Sequence, residues 1–149
     1  MRLRPKRNER GNAMVELSLA FPVCAVLLFG VFQFGYAFFE YSKLQTAVRA
    51  GARYAAMRTY DSSTSTPSTA YVTAVRNVVL YGDPAGAAEP VVKGLSAPDI
   101  SVEMTMAENV PEEVTVKVAN YTFDAIFTRF NWRGKPAAHF RYQGRYSPQ

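Results

Sequence analysis

From Leu17 to Phe39 the chain carries no formal charge, and the surrounding stretch Gly11 to Tyr41 reads GNAMVELSLAFPVCAVLLFGVFQFGYAFFEY. At about 1.5 Å per residue, a helix of that length reaches roughly 35 Å, enough to cross a hydrocarbon core of about 30 Å with some tilt. The spacing therefore predicts a transmembrane helix over residues 12–40. It removes this segment from any water-soluble core and leaves about a hundred residues for one small domain. Glu16 breaks the pattern. A carboxylate in lipid costs of order 2.5 to 3.5 kcal/mol at the bilayer centre and less toward the interface, so an acid at this position calls for a cation or a function.

The rest of the charge lies on either side of the span. The chain carries a formal +5 in 149 residues, and +4 of it comes from Arg2, Arg4, Lys6, Arg7 and Arg10 against Glu9. Without that leader the remainder is nearly neutral, so the basic balance gives no support to a nucleic-acid partner. A short basic leader ahead of an apolar run predicts a cytoplasmic N-terminus and an extracytoplasmic C-terminus, although Lys43, Arg49, Arg53 and Arg58 follow the span on its other side. A secretory signal peptide has the same general form. Its apolar region is about 7 to 15 residues long and ends at small residues, whereas this run is longer and Gly35-Tyr36-Ala37 is the nearest approach to such a site. Cys24 is the sole cysteine and lies in the span, so no intrachain disulfide can form.

Gly11, followed by Asn12-Ala13-Met14-Val15 and then Glu16, resembles the processing site of type IV prepilins. That resemblance implies a prepilin peptidase that cuts after the glycine, with a glutamate fifth after the cut. Leu17, Ala20-Phe21-Pro22 and the later run Ala47-Val48-Arg49-Ala50-Gly51-Ala52-Arg53-Tyr54-Ala55-Ala56 narrow the likeness to the TadE-like minor pilins, or pseudopilins, of tight-adherence (Flp) pilus systems. It covers about residues 10 to 60. It implies that the new amine of Asn12 pairs with Glu16 of a neighbouring subunit and sets the register of assembly. It also implies other pilin and pseudopilin subunits and inner-membrane assembly proteins as partners, and the bacterial inner membrane as the location. The plainer account of Glu16 is an anion in the first turns of a helix, favoured by the dipole by about 0.3 to 1 kcal/mol.

Inside the span, Pro22 removes a helical hydrogen bond at the Ser18 carbonyl and predicts a kink. Gly30, Gly35 and Gln33 offer points of close or polar contact with another protein segment. Beyond the span, Leu44, Ala47, Val48, Gly51, Ala52 and Ala55 recur on one helical face, with Arg49 and Arg53 opposite. The helix is thus expected to continue to about Arg58, roughly 70 Å in all at 1.5 Å per residue, with residues 41–60 forming an amphipathic part of the head. The alanine and glycine stripe is expected to be the packing face for that head.

Asp61 to Thr69 reads as a flexible polar loop and Ala70 to Tyr81 as a second helix stopped at Gly82-Asp83-Pro84. Gly82 to Pro98 reads as irregular surface. Alternation at Ile100, Val102, Met104 and Met106, and again at Val114, Val116 and Val118, predicts two strands. An antiparallel hairpin is expected to set Val102 opposite Val118 and Glu103 opposite Lys117, with Asn109 to Pro111 in the connection. Phe123, Phe127, Phe130 and Trp132 either cover the sheet or form a partner patch, His139 to Tyr142 suits a third strand, and the Ser-Pro-Gln end is expected to fray. The fold class expected is α+β: a long N-terminal transmembrane helix (12–40) after a leader (1–11), extending into a small head (41–149) with an antiparallel sheet, pilin-like in outline.

A single histidine, His139, and a cysteine confined to the span leave no His/Cys metal cluster, no Cys-His pair and no His-centred triad to assemble. No phosphate-binding glycine loop is present, and Glu112 and Glu113 point to opposite faces of a strand. The chain therefore reads as a structural, non-enzymatic protein with no cofactor, and the resemblance implies a minor pilin or pseudopilin processed by a prepilin peptidase. Two other classes remain open at this point. One is an uncleaved, signal-anchored envelope binding module; the other is a soluble protein released by ordinary signal peptidase.

Overall fold

The computed structural model describes residues 9–125 and 128–148. The leader residues Arg2, Arg4, Lys6 and Arg7, the aromatic Phe127 and the terminal Gln149 lie outside the described residues. The order of elements is α1 (Glu9–Met57), α2 (Thr69–Tyr81), a short 3-10 turn (Ala97–Asp99), then β1 (Ile100–Ala107), β2 (Val110–Val118), β3 (Asn120–Asp124), β4 (Arg129–Arg133) and β5 (Ala137–Arg141). The class is α+β, with a long apolar helix followed by antiparallel sheets. The chain divides into two units, one ending at Tyr36 and one beginning at Ala37.

In the first unit α1 is apolar on every side and almost wholly exposed. An 18-residue window within Gly11–Met57 reaches a mean hydropathy of 2.2 with none of it buried in the protein, so by length and composition this helix can cross a membrane. A helix apolar all round has no preferred inward face, which suits lipid and not water.

In the second unit the pattern changes to one-sided burial. Leu44, Ala47, Val48, Gly51, Ala52 and Ala55 are buried while Arg49 and Arg53 are exposed, the division expected from their spacing. Leu44, Ala47, Val48, Ala52 and Ala55 share one core cluster with Tyr71, Val75 and Val79 of α2 and with Ile100, Met104, Val114, Val116 and Val118 of the sheet. Gly51 marks the tightest approach of the two helices: a Cβ there would lie 2.2 Å from Val79 Cγ2. Gly51→Leu should therefore overpack the α1–α2 contact and cost about 1 to 3 kcal/mol, read as a lower urea midpoint of the head.

Ser68 caps α2 by accepting from Tyr71 N at 3.1 Å and donates to Asp61 Oδ2 at 2.7 Å. The Ser/Thr segment is thus tied at its end, and further held where Tyr60 donates to the Thr64 carbonyl at 2.7 Å. Gly82 ends α2 in the left-handed conformation, its N–H bonded to Val78 O at 2.9 Å. The following segment is not all surface, because Val92 and Leu95 reach the core and Val91 N donates to Leu80 O.

The main sheet has the order β1–β2–β5, and β3–β4 form a separate two-stranded sheet. The register of the first hairpin differs by two residues from the expected one: Val102 pairs with Val116 and Ile100 with Val118. The cause is the turn. Only Glu108 and Asn109 lie between the paired Ala107 and Val110, both with positive φ, and an irregularity between Thr105 and Met106 adjusts the count. A shift of two keeps every side chain on its own face, so Val114, Val116 and Val118 still point into the core. Glu103 consequently faces Thr115, yet Lys117 reaches it diagonally at 2.5 Å and holds its carboxyl below the usual range. Both side chains are solvated, so the pair contributes less than about 1 kcal/mol. His139 lies in β5, the third strand, opposite Thr115.

As far as Ser147 the C-terminal tail is held and does not fray as expected. Tyr146 bridges Tyr60, and Ser147 N donates to Tyr60 O at 2.9 Å. Tyr142 locks the arrangement: its hydroxyl accepts from Tyr60 N at 2.8 Å and lies 2.7 Å from Arg58 O and 2.8 Å from Arg145 O. Gly144 permits this closeness, since a Cβ would stand 2.5 Å from Arg58 O. Burial pushes the Tyr60, Tyr71 and Tyr142 phenols above their ordinary value, and the charge of Asp61 adds to it in each case. A raised folded-state value means the contribution is complete below about pH 10 and is lost as pH rises beyond it. The head should thus unfold in the alkaline range, followed by circular dichroism against pH, and Tyr71→Phe should make that loss shallower from a lower starting stability.

Candidate processing and assembly segment

Gly11, Asn12 and Glu16 all lie within the first two turns of α1, which starts at Glu9 and so already includes the proposed cut. Every residue from Gly11 to Ala20 is exposed. A Cβ built on Gly11 would meet nothing within 4 Å. Packing in this chain thus gives no reason for glycine at a position where it costs about 1 kcal/mol of helix stability relative to alanine.

Glu16 stands among exposed Met14, Val15, Leu17 and Leu19. Among the described residues it has no cation within ion-pairing distance. On a helix the residue four positions earlier is its neighbour, with Cβ atoms about 5 to 6 Å apart, and that residue is Asn12. A cut after Gly11 would therefore create an amine one turn from the carboxylate. Pro22 lies in the interior of α1, and it has no N–H to offer the carbonyl of Ser18. Ser18 Oγ itself donates to Val15 O at 2.8 Å, two residues beyond Glu16. Gly30 and Gly35 are as open as Gly11.

At the other end of the apolar run, sequence reasoning passed over Glu40. This acid is only 8% exposed and pairs with Lys43 at 3.4 Å, while the Lys43 ammonium also sits 4.5 Å from the centroid of the Phe39 ring. The i, i+3 spacing of opposite charges was the available signal. Among the described residues, the run thus begins at an acid without a cation and ends at an acid with one. No group of three metal-ligating side chains occurs among the described residues.

Residues 11–53 match the model of the TadE-like protein family. The TadE-like match begins at Gly11, takes in Glu16 and Pro22, and ends at Arg53 on the buried-stripe portion of α1. It agrees with the resemblance drawn from the sequence, suggests involvement in Tad pilus systems and, with the apolar helix, a membrane-anchored protein. The TadE-like segment therefore runs from the exposed apolar part of α1 into its core-facing part, and the strands lie beyond it. No curated protein and no solved structure matches the chain.

Proposed function

We propose that this protein is a minor pilin or pseudopilin of a tight-adherence (Flp, type IV) pilus, cut after Gly11 by a prepilin peptidase and held in the bacterial inner membrane by residues 12–40. The single observation that carries this reading is an unpacked Gly11 five residues before an exposed Glu16 that has no cation partner among the described residues, both inside the TadE-like segment. The leader stays in the cytoplasm and the head is extracytoplasmic, in keeping with the basic residues ahead of the span. The freed Asn12 amine pairs with Glu16 of a neighbouring pilin or pseudopilin, replacing a poorly solvated carboxylate by an ion pair in a low-dielectric setting. The protein acts by packing and charge pairing with other subunits and inner-membrane assembly proteins, without catalysis. Gly11→Leu tests the reading: in cells holding the cognate peptidase the variant should keep its leader, seen as a slower-migrating band, while wild type loses it. Equal processing of both would refute the cut site.

A further inference from the structure

We propose that the β3–β4 hairpin lies in the headgroup layer of the bilayer that holds α1, with Trp132 as its aromatic anchor and Arg133 and Lys135 directed to anionic phospholipid. The inference rests on α1 spanning that bilayer. About 20 helical residues cross the hydrocarbon, so a span entered at Leu17 ends near residues 37–40, and Tyr41 falls at the interface. Trp132 stands at that level, its ring 5.3 Å from Tyr41 in an edge-on contact.

The pairing of Tyr121 with Trp132 and Phe123 with Phe130 gathers four aromatic side chains on one face of the hairpin. The β3 pair is buried, but Phe130 and Trp132 on β4 are only half-buried, leaving an aromatic edge open. Trp132 is held rigidly, stacked on Phe123 at 5.8 Å and an interplanar angle of 5° and tilted against Tyr121 at 5.8 Å. An amphipathic ring with a fixed orientation, beside the end of a membrane span, suits the headgroup region. The charge agrees. Residues 120–135 carry Asp124 against Arg129, Arg133 and Lys135, and Arg129 is taken up by Asp124 at 2.7 Å. Arg133 and Lys135 are exposed and join no ion pair among the described residues, so they are available to phosphate.

Trp132 is the sole tryptophan, so its fluorescence reports this one site. The full chain is reconstituted into phosphatidylcholine vesicles with and without phosphatidylglycerol, carrying a quencher at either the headgroup or the chain terminus. Carbonate-resistant flotation with the vesicles establishes separately that α1 is inserted. Expected are stronger quenching by the headgroup label than by the deep one, a shift of emission to shorter wavelength when phosphatidylglycerol is added, and loss of both in Arg133→Glu/Lys135→Glu with flotation unchanged. An inserted protein whose Trp132 is quenched by neither lipid label would overturn the proposal. So would quenching that depends on protein density and not on lipid label, which would assign this edge to a second copy of the chain. Failure to float would instead overturn the membrane reading beneath it.

Discussion

Glu16→Ala should abolish recruitment of the protein to the pilus machinery while leaving its membrane anchoring intact. Removing the carboxylate takes away a charge that costs of order 2.5 to 3.5 kcal/mol at mid-bilayer and less near the interface, so insertion becomes easier, not harder. The side chain packs against nothing that would collapse, since it and its neighbours are exposed. A purely helix-dipole role is worth only about 0.3 to 1 kcal/mol and would leave recruitment nearly unchanged. The measurement is co-purification with the other pilus subunits from membranes, together with carbonate extraction to follow anchoring. Glu16→Asp, which keeps the charge, should retain part of the recruitment, and wild-type recruitment of Glu16→Ala would remove the pairing role.

The second large effect is expected in the head. Leu44 is fully buried on the α1 stripe, in the cluster that joins both helices to the sheet. Leu44→Ala should lose about 2 to 5 kcal/mol, the combined cost of lost burial and of the cavity left behind. With a slope of about 1 to 3 kcal/mol per molar urea, the midpoint should fall by about 1 M or more. Arg49→Ala, one residue along from Val48 but on the solvent side, should change stability by no more than about 0.5 kcal/mol. Equal effects of the two would show that the stripe does not form the core of the head.

The parts of the fold set by local pattern were legible before any coordinates. The long apolar helix follows from an uncharged run of that length, and the burial of Leu44, Ala47, Val48, Gly51, Ala52 and Ala55 follows from three-and-four spacing. Gly82 as the end of α2 and Val114, Val116 and Val118 as inward strand positions follow from turn chemistry and from period two. What escaped were features made by contacts distant in sequence. Tyr142 and Ser147 reach Tyr60 across more than eighty residues, and nothing in the tail's composition marks them as anchored. Val92 and Leu95 sit among glycine, proline and alanine, so their burial depends on where Tyr121 and α2 place that segment; the Tyr121 hydroxyl donates to Lys93 O at 2.6 Å. The register of the β1–β2 hairpin depends on a two-residue turn at Glu108-Asn109 that no glycine signals and on an irregularity between Thr105 and Met106, so strand periodicity alone does not set it. At the candidate site the sequence pattern stands alone: Gly11, Asn12 and Glu16 are exposed, and among the described residues Gly11 meets no packing and Glu16 no ion pair.

The most direct test of the account is the mass of the mature N-terminus, measured on protein isolated from membranes of cells that contain the cognate prepilin peptidase. The account predicts a chain beginning at Asn12, with residues 1–11 removed and Glu16 fifth from the new amine. A chain that still begins at Met1, or one trimmed near residue 38 by signal peptidase, would contradict it.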